Sequence, residues 1–148
     1  MGSMSNEQTE VYRLVAEFVT RQELAYQVLR RFRPNLVPEP GERPPRLTRE
    51  QATATQCGRW GEWRYGIHGS GCEMVHEATG EPIQWNSPDV RRFDPHWLID
   101  WVTWCAARGA CAIDPAEVPR VLVELTELGL LRHHPGRTNC YELLMDRP

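Results

Sequence analysis

Val11, Leu14, Val15, Phe18, Ala25, Leu29 and Phe32 recur at helical spacing across residues 6–33, marking one apolar stripe on a long amphipathic helix. Pro34 stops it, because proline cannot donate the next backbone hydrogen bond. From 34 to 48 the period is lost: Pro34, Pro38, Pro40, Pro44 and Pro45, with Gly41 among them, read as a linker or extended loop. Leu47 to Gln56 suits a short helix, with Thr48 as N-cap and Glu50 and Gln51 in its first turn. Strand-like stretches follow. Trp63–His68, Cys72–Glu77 and Glu81–Asn86 are expected to form a three-stranded β-meander, with a tight turn at Ala78-Thr79-Gly80 and a break at Ser87-Pro88-Asp89.

Helical spacing then returns twice, each time behind an Asp-Pro pair. That pair supplies a capping carboxylate and a proline at the first helical position. The first helix runs from Asp94-Pro95 to about Arg108 and closes at Gly109. The second, from Asp114-Pro115 to Gly129, aligns Val118, Val121, Leu122, Leu125 and Leu128 on one face. A hairpin closes the chain: Leu130-Leu131-Arg132, a turn at Pro135-Gly136, then Asn139 to Leu144. Helix, meander, two helices and hairpin make an α+β fold rather than alternating βα units. Met1-Gly2-Ser3 reads as an expression scar, and residues 4–148 as a single domain at this length.

Composition narrows the partners. The net charge is -3 and all 17 basic residues are Arg, which favours bidentate carboxylate pairing and argues against a nucleic-acid-binding tail. No apolar run reaches the roughly 18 residues of a membrane span, and no signal-peptide pattern is present. Cys57, Cys72, Cys105, Cys111 and Cys140 are odd in number and irregularly spaced, which points to reduced thiols and a cytoplasmic location.

His68 and Cys72 flank a glycine-rich turn and raise the question of chemistry. With His76 they give an H-x3-C-x3-H spacing. On a strand Cys72 and His76 stand roughly 13 Å apart, too far for one zinc ion, so no metal site is expected. A cysteine nucleophile needs a base within reach and a group orienting that base. His68 across the turn, with Asp89 or Asp94, is the candidate set, and a Cys/His-dependent enzyme is the alternative reading. Gly66, Gly69 and Gly71 are explained by backbone geometry rather than by a phosphate cradle, since a strand and not a helix follows them. Trp97, Trp101 and Trp104 on one helix, and Trp60, Trp63 and Trp85 near the meander, read as aromatic core, with one or two left exposed as a binding hot spot. Val118–Leu144 also resembles the last helix and wing of a winged helix-turn-helix, Arg132, His133, His134 and Arg137 forming the wing. Glu117, Glu124 and Glu127 against Arg120 alone would repel phosphate, so a DNA-binding regulator is the second alternative.

The long first helix, the proline-glycine linker, the aromatic strand into His68-Gly69-x-Gly71-Cys72, and Arg92-Phe93-Asp94 opening a tryptophan-bearing helix together resemble a family of small bacterial proteins known only as a domain of unknown function. The match runs from about Glu10 to Leu144. The chain departs from the family pattern in the third strand, where relatives often carry an acid and this chain has Trp85 or Asn86. By analogy of class, the resemblance implies an immunity protein that neutralises a cognate secreted toxin by occlusion, as a non-enzymatic toxin inhibitor without cofactor. His68, Gly69, Gly71, Cys72, Phe93 and Asp94 are then motif residues, and Trp85, Asp89, Arg91 and Arg92 candidates for partner contact. The sequence leaves monomer and homodimer open.

Overall fold

The structure is a computed structural model that describes residues 4–32, 56–68, 71–86, 91–136 and 139–144; of Leu29, Arg30, Phe32, Gln56, His68, Trp85 and Asn86 only the backbone is described, so the predicted burial of Leu29 and Phe32 lies outside it. Among these residues the order is α1 (Asn6–Phe32), β1 (Gln56–Trp60), β2 (Trp63–His68), β3 (Gly71–His76), β4 (Pro82–Asn86), β5 (Arg92–Phe93), α2 (Pro95–Ala107), a 3₁₀ turn (Pro115–Glu117), α3 (Val118–Glu127), β6 (Leu131–His134) and β7 (Cys140–Leu143). The fold is α+β, with antiparallel sheets. The proline-rich segment, most of the expected Leu47–Gln56 helix, Gly69, and the break at Ser87-Pro88-Asp89 lie outside the described residues. The chain divides into two compact units, Met1–Thr20 with Arg91–Pro148, and Arg21–Val90, the boundary falling inside α1.

In the 21–90 unit the sheet has four strands in the order β1-β2-β3-β4, one more than the expected meander. Gln56, expected to end a helix, begins β1. What makes β1 a strand is its partner: a two-residue Gly61-Glu62 turn, with Gly61 at φ 57°, folds it back antiparallel on β2. Registers align Gly58, Tyr65, Met74 and Ile83 across the four strands, and Gln56, Ile67, Cys72 and Trp85 in a second row. The buried residues Tyr65, Ile67, Cys72, Met74 and Ile83 occupy these rows. The alternate rows carry charge. Arg59 and Arg64 stand directly opposite one another, and both reach Glu77, at 2.7 and 3.6 Å, which offsets the like-charge pairing.

In the other unit, β5, β7 and β6 form a three-stranded sheet in that order, joined to α2, α3 and the first half of α1. Val11, Leu14, Val15 and Phe18 of α1 are buried, as their spacing predicts, and Phe18 lies against Trp101 with ring centroids 5.5 Å apart. Val19 is buried too, although it falls outside the predicted stripe. The first of the two later helices begins and ends as expected, whereas the second opens as the 3₁₀ turn Pro115–Glu117 and becomes α-helical at Val118; both keep their predicted caps. Asp94 and Asp114 accept the N–H of His96 and Ala116 at 2.7 and 3.0 Å. Gly109 and Gly129, both at positive φ, close the two helices with paired turns of backbone hydrogen bonds. One expectation is corrected: Leu128, placed on the apolar face with Leu125, is 50% exposed, as the C-cap residue that follows the last helical residue, Glu127.

Candidate partner-binding groove

The row Trp60–Trp63–His76 ends the covered face of the four-stranded sheet. Beside it the second half of α1 supplies Leu24, Ala25 and Val28, and the space between them is a small cleft open to solvent. Trp63, Met74 and Ile83 complete its lining, with Arg21 as the polar residue. Arg21 Nε lies 3.0 Å from Oε2 of the buried Glu81, which neutralises a carboxylate that would otherwise be costly to bury. A second opening shares Leu24, Val28 and Trp60 and adds Gln27 and Arg31. Leu24 is 59% exposed and Trp60 38% exposed, both at this cleft. The groove therefore pairs an apolar floor with exposed anchors and polar groups at its rim, an arrangement that takes an apolar side chain and hydrogen-bonds beside it.

Sequence reasoning allowed one exposed tryptophan but missed Leu24. The signal was present: Leu24 precedes Ala25 and is off the apolar stripe, so a large apolar residue faces away from the buried helix face.

Next to the groove, His76 holds the β3–β4 turn. The N–H of Thr79 donates to His76 Nδ1 at 3.2 Å, which fixes that nitrogen as an acceptor and leaves Nε2–H to donate to Glu62 Oε2 at 3.0 Å. Thr79 Oγ1 stands 3.1 Å from the same Nδ1 and accepts the N–H of Glu81. Carboxylate, imidazole and hydroxyl are thus in line, but the nitrogen that would take the hydroxyl proton already accepts a backbone amide, and the set serves the turn. Trp63 packs edge-on against the His76 ring at 4.9 Å.

The motif residues divide between the units. In the hairpin, Cys72 pairs with Ile67, while His68 pairs with Gly71, so the register sets Cys72 one step away from the expected base. Cys72 is 3% exposed, and burial pushes its thiol up to about 12, which suppresses the thiolate a nucleophile requires. Gly71 pairs on its other side with Asn86, and Trp85 with Cys72. Phe93 is buried in β5, stacked on Tyr141 at 6.1 Å, and Asp94 is a helix cap. Arg91 donates from Nε and Nη2 to the carbonyl of Leu143 at 3.1 and 2.7 Å, so it clamps β7. Arg92 pairs across the sheet with Glu142. Asp89 lies outside the described residues. Of the expected contact residues, Trp85 belongs to the 21–90 unit and Arg91 and Arg92 to the other.

Among the described residues no three His, Cys, Asp or Glu side chains come together as metal ligands, and no helix is long and apolar enough to cross a membrane. The five cysteines are unbridged. The chain matches no family model, and no curated protein and no solved structure is significantly similar to it.

Proposed function

We propose that this chain is a non-enzymatic protein-binding module, acting in the cytoplasm as an immunity protein that occludes a secreted toxin. The observation that carries the reading is the groove of the 21–90 unit, where Leu24 and Trp60 stand exposed over Trp63, Met74 and Ile83. Exposed tryptophan beside an apolar pocket is a frequent centre of protein–protein binding energy. The burial of Cys72 and its raised thiol support inhibition by contact rather than by covalent chemistry. The test is co-expression with the toxin-like product of the neighbouring gene. The reading expects a co-purifying complex and rescue of growth, both lost in Trp60→Ala and Leu24→Asp. Absence of complex and rescue with the native chain would end it.

A second reading has its own observation. The strand order β5-β7-β6, with α2 and α3 ahead of the β6–β7 hairpin, is the arrangement of a winged helix. It favours a DNA-binding regulator on topology alone, and fold does not fix function. The charges oppose it: Glu117, Glu124 and Glu127 lie on and beside α3, and Arg120, its one cation, is held by Glu7, Glu117 and Glu124.

A further inference from the structure

Arg21, Leu24, Val28 and Arg31 recur every three or four residues and so share one face of α1, the face that lines the groove. Two aliphatic side chains thus stand between two guanidinium groups. The groove has two adjoining parts that share Leu24, Val28 and Trp60. The first is completed by Ala25, Trp63, Met74 and Ile83, and its arginine, Arg21, is taken up by the buried Glu81. The second has Gln27 and Arg31 instead, both exposed. One part therefore suits an apolar side chain, while the part beside it offers an amide and a guanidinium.

Charge decides what the second part takes. Arg31 makes no hydrogen bond or ion pair among the described residues. The carboxylates near the groove already have partners: Glu81 lies 3.0 Å from Arg21 Nε, and Glu62 accepts from His76 Nε2 at 3.0 Å. Glu23, the one acid between residues 21 and 32, lines neither part. An unpaired guanidinium presents a planar fork of N–H donors that matches a carboxylate and repels a cation. Glu62 sits in the turn that joins Trp60 to Trp63, so an incoming acid is directed away from that turn and toward Arg31. A free anion would fill the second part alone. A peptide segment carrying an acid beside an apolar side chain fills both.

We infer that the groove reads an acidic–apolar segment of its partner protein: an apolar side chain seats over Trp63, Met74 and Ile83, and a glutamate or aspartate beside it bonds Arg31 and Gln27. The inference rests on the groove being the partner site, and it adds the chemistry that selects the partner.

The test is amide-resolved NMR of the full ¹⁵N-labelled chain, titrated with short end-blocked peptides. Three share one leucine and differ in the residue beside it, which is glutamate, glutamine or lysine. A fourth keeps the glutamate and replaces the leucine by serine. The inference expects the glutamate–leucine peptide to shift Leu24, Val28, Arg31 and the Trp60 indole. It should bind about two- to fivefold tighter than the glutamine peptide, the reach of a solvent-exposed ion pair, with the lysine peptide weakest of the three. Loss of the leucine should weaken binding by about tenfold or more. Arg31→Glu should reverse the order of the glutamate and lysine peptides, and Arg31→Gln should level it; both change an exposed side chain, and unshifted sheet amides in the free variants report an intact fold. If the three leucine peptides bind the groove alike, or Arg31→Glu leaves their order unchanged, the inference falls while the groove stands as a binding site. If no peptide shifts the groove residues, the inference and the groove reading fall together.

Discussion

The ring of Tyr65 occupies the space in which a side chain at Gly58, its cross-strand partner, would stand. Tyr65 thereby covers a glycine that would otherwise weaken the edge strand β1, and β1 in turn carries Trp60 to the lip of the groove. Gly58→Ala displaces that ring and should destabilise the protein by about 1–3 kcal/mol, as overpacking does. Thermal denaturation measures it. Combined with Tyr65→Leu, which removes the obstructing phenol, the loss should be less than the sum of the two single losses, because the pair is in contact. Full additivity would contradict the packing described.

Cys72 separates inhibition from catalysis. Its thiol is buried and pushed up to about 12, whereas Cys57 is exposed on β1. Iodoacetamide near neutral pH should label Cys57 in the native protein and reach Cys72 only after unfolding, as read by mass spectrometry of the digested chain. Cys72→Ser should leave partner binding unchanged. Rapid native labelling of Cys72 would revive the enzyme reading.

Asp94, read from the sequence as a motif residue, has a structural duty as the cap of α2, accepting from His96 N–H at 2.7 Å. Asp94→Ala should cost about 1 kcal/mol of stability, within the range of lost N-caps, and leave the groove's binding intact. Denaturant unfolding checks the first part, and titration with the partner the second.

Acid sensitivity is expected from Glu142. The hydrogen bond with His134 lowers its carboxyl most, with Arg132, His134 and Arg92 adding favourable charge. The folded chain therefore holds this proton less readily than the unfolded chain. The resulting stability is present above the ordinary glutamate value of 4.5 and is lost as pH falls through the lower folded value. Glu142→Gln should flatten the decline in stability below pH 4.5 and leave the shape of the curve above pH 6 to other groups. An unchanged acid limb would contradict it.

Much of the fold was legible because the local signals agreed. Asp-Pro at 94 and 114 and glycines at 109 and 129 bounded two helices, and period-two runs placed β2, β3 and β4. Two strands were not. β1 reads Gln-Cys-Gly-Arg-Trp, with no apolar alternation, and depends on the Tyr65 ring and its pairing with β2. β5 is two residues long and exists through its pairing with β7. The candidate site was less legible still. His68, Cys72 and Asp94 drew attention as chemical residue types, yet burial and hydrogen bonding give Cys72 and Asp94 structural duties. The groove arises where α1 meets the sheet, and no local pattern encodes the meeting of Leu24 with Trp60.

The most direct measurement is calorimetric titration of the proposed toxin partner into the native chain and into Trp60→Ala. Trp60 is 38% exposed and packs through the rest of its surface, so the melting temperature of the variant is measured beside its affinity, at a temperature where both chains are folded. The account predicts a loss of affinity of about thirtyfold or more, the scale of a binding hot spot at 2 kcal/mol. Affinity unchanged by Trp60→Ala would contradict the groove as the site of binding.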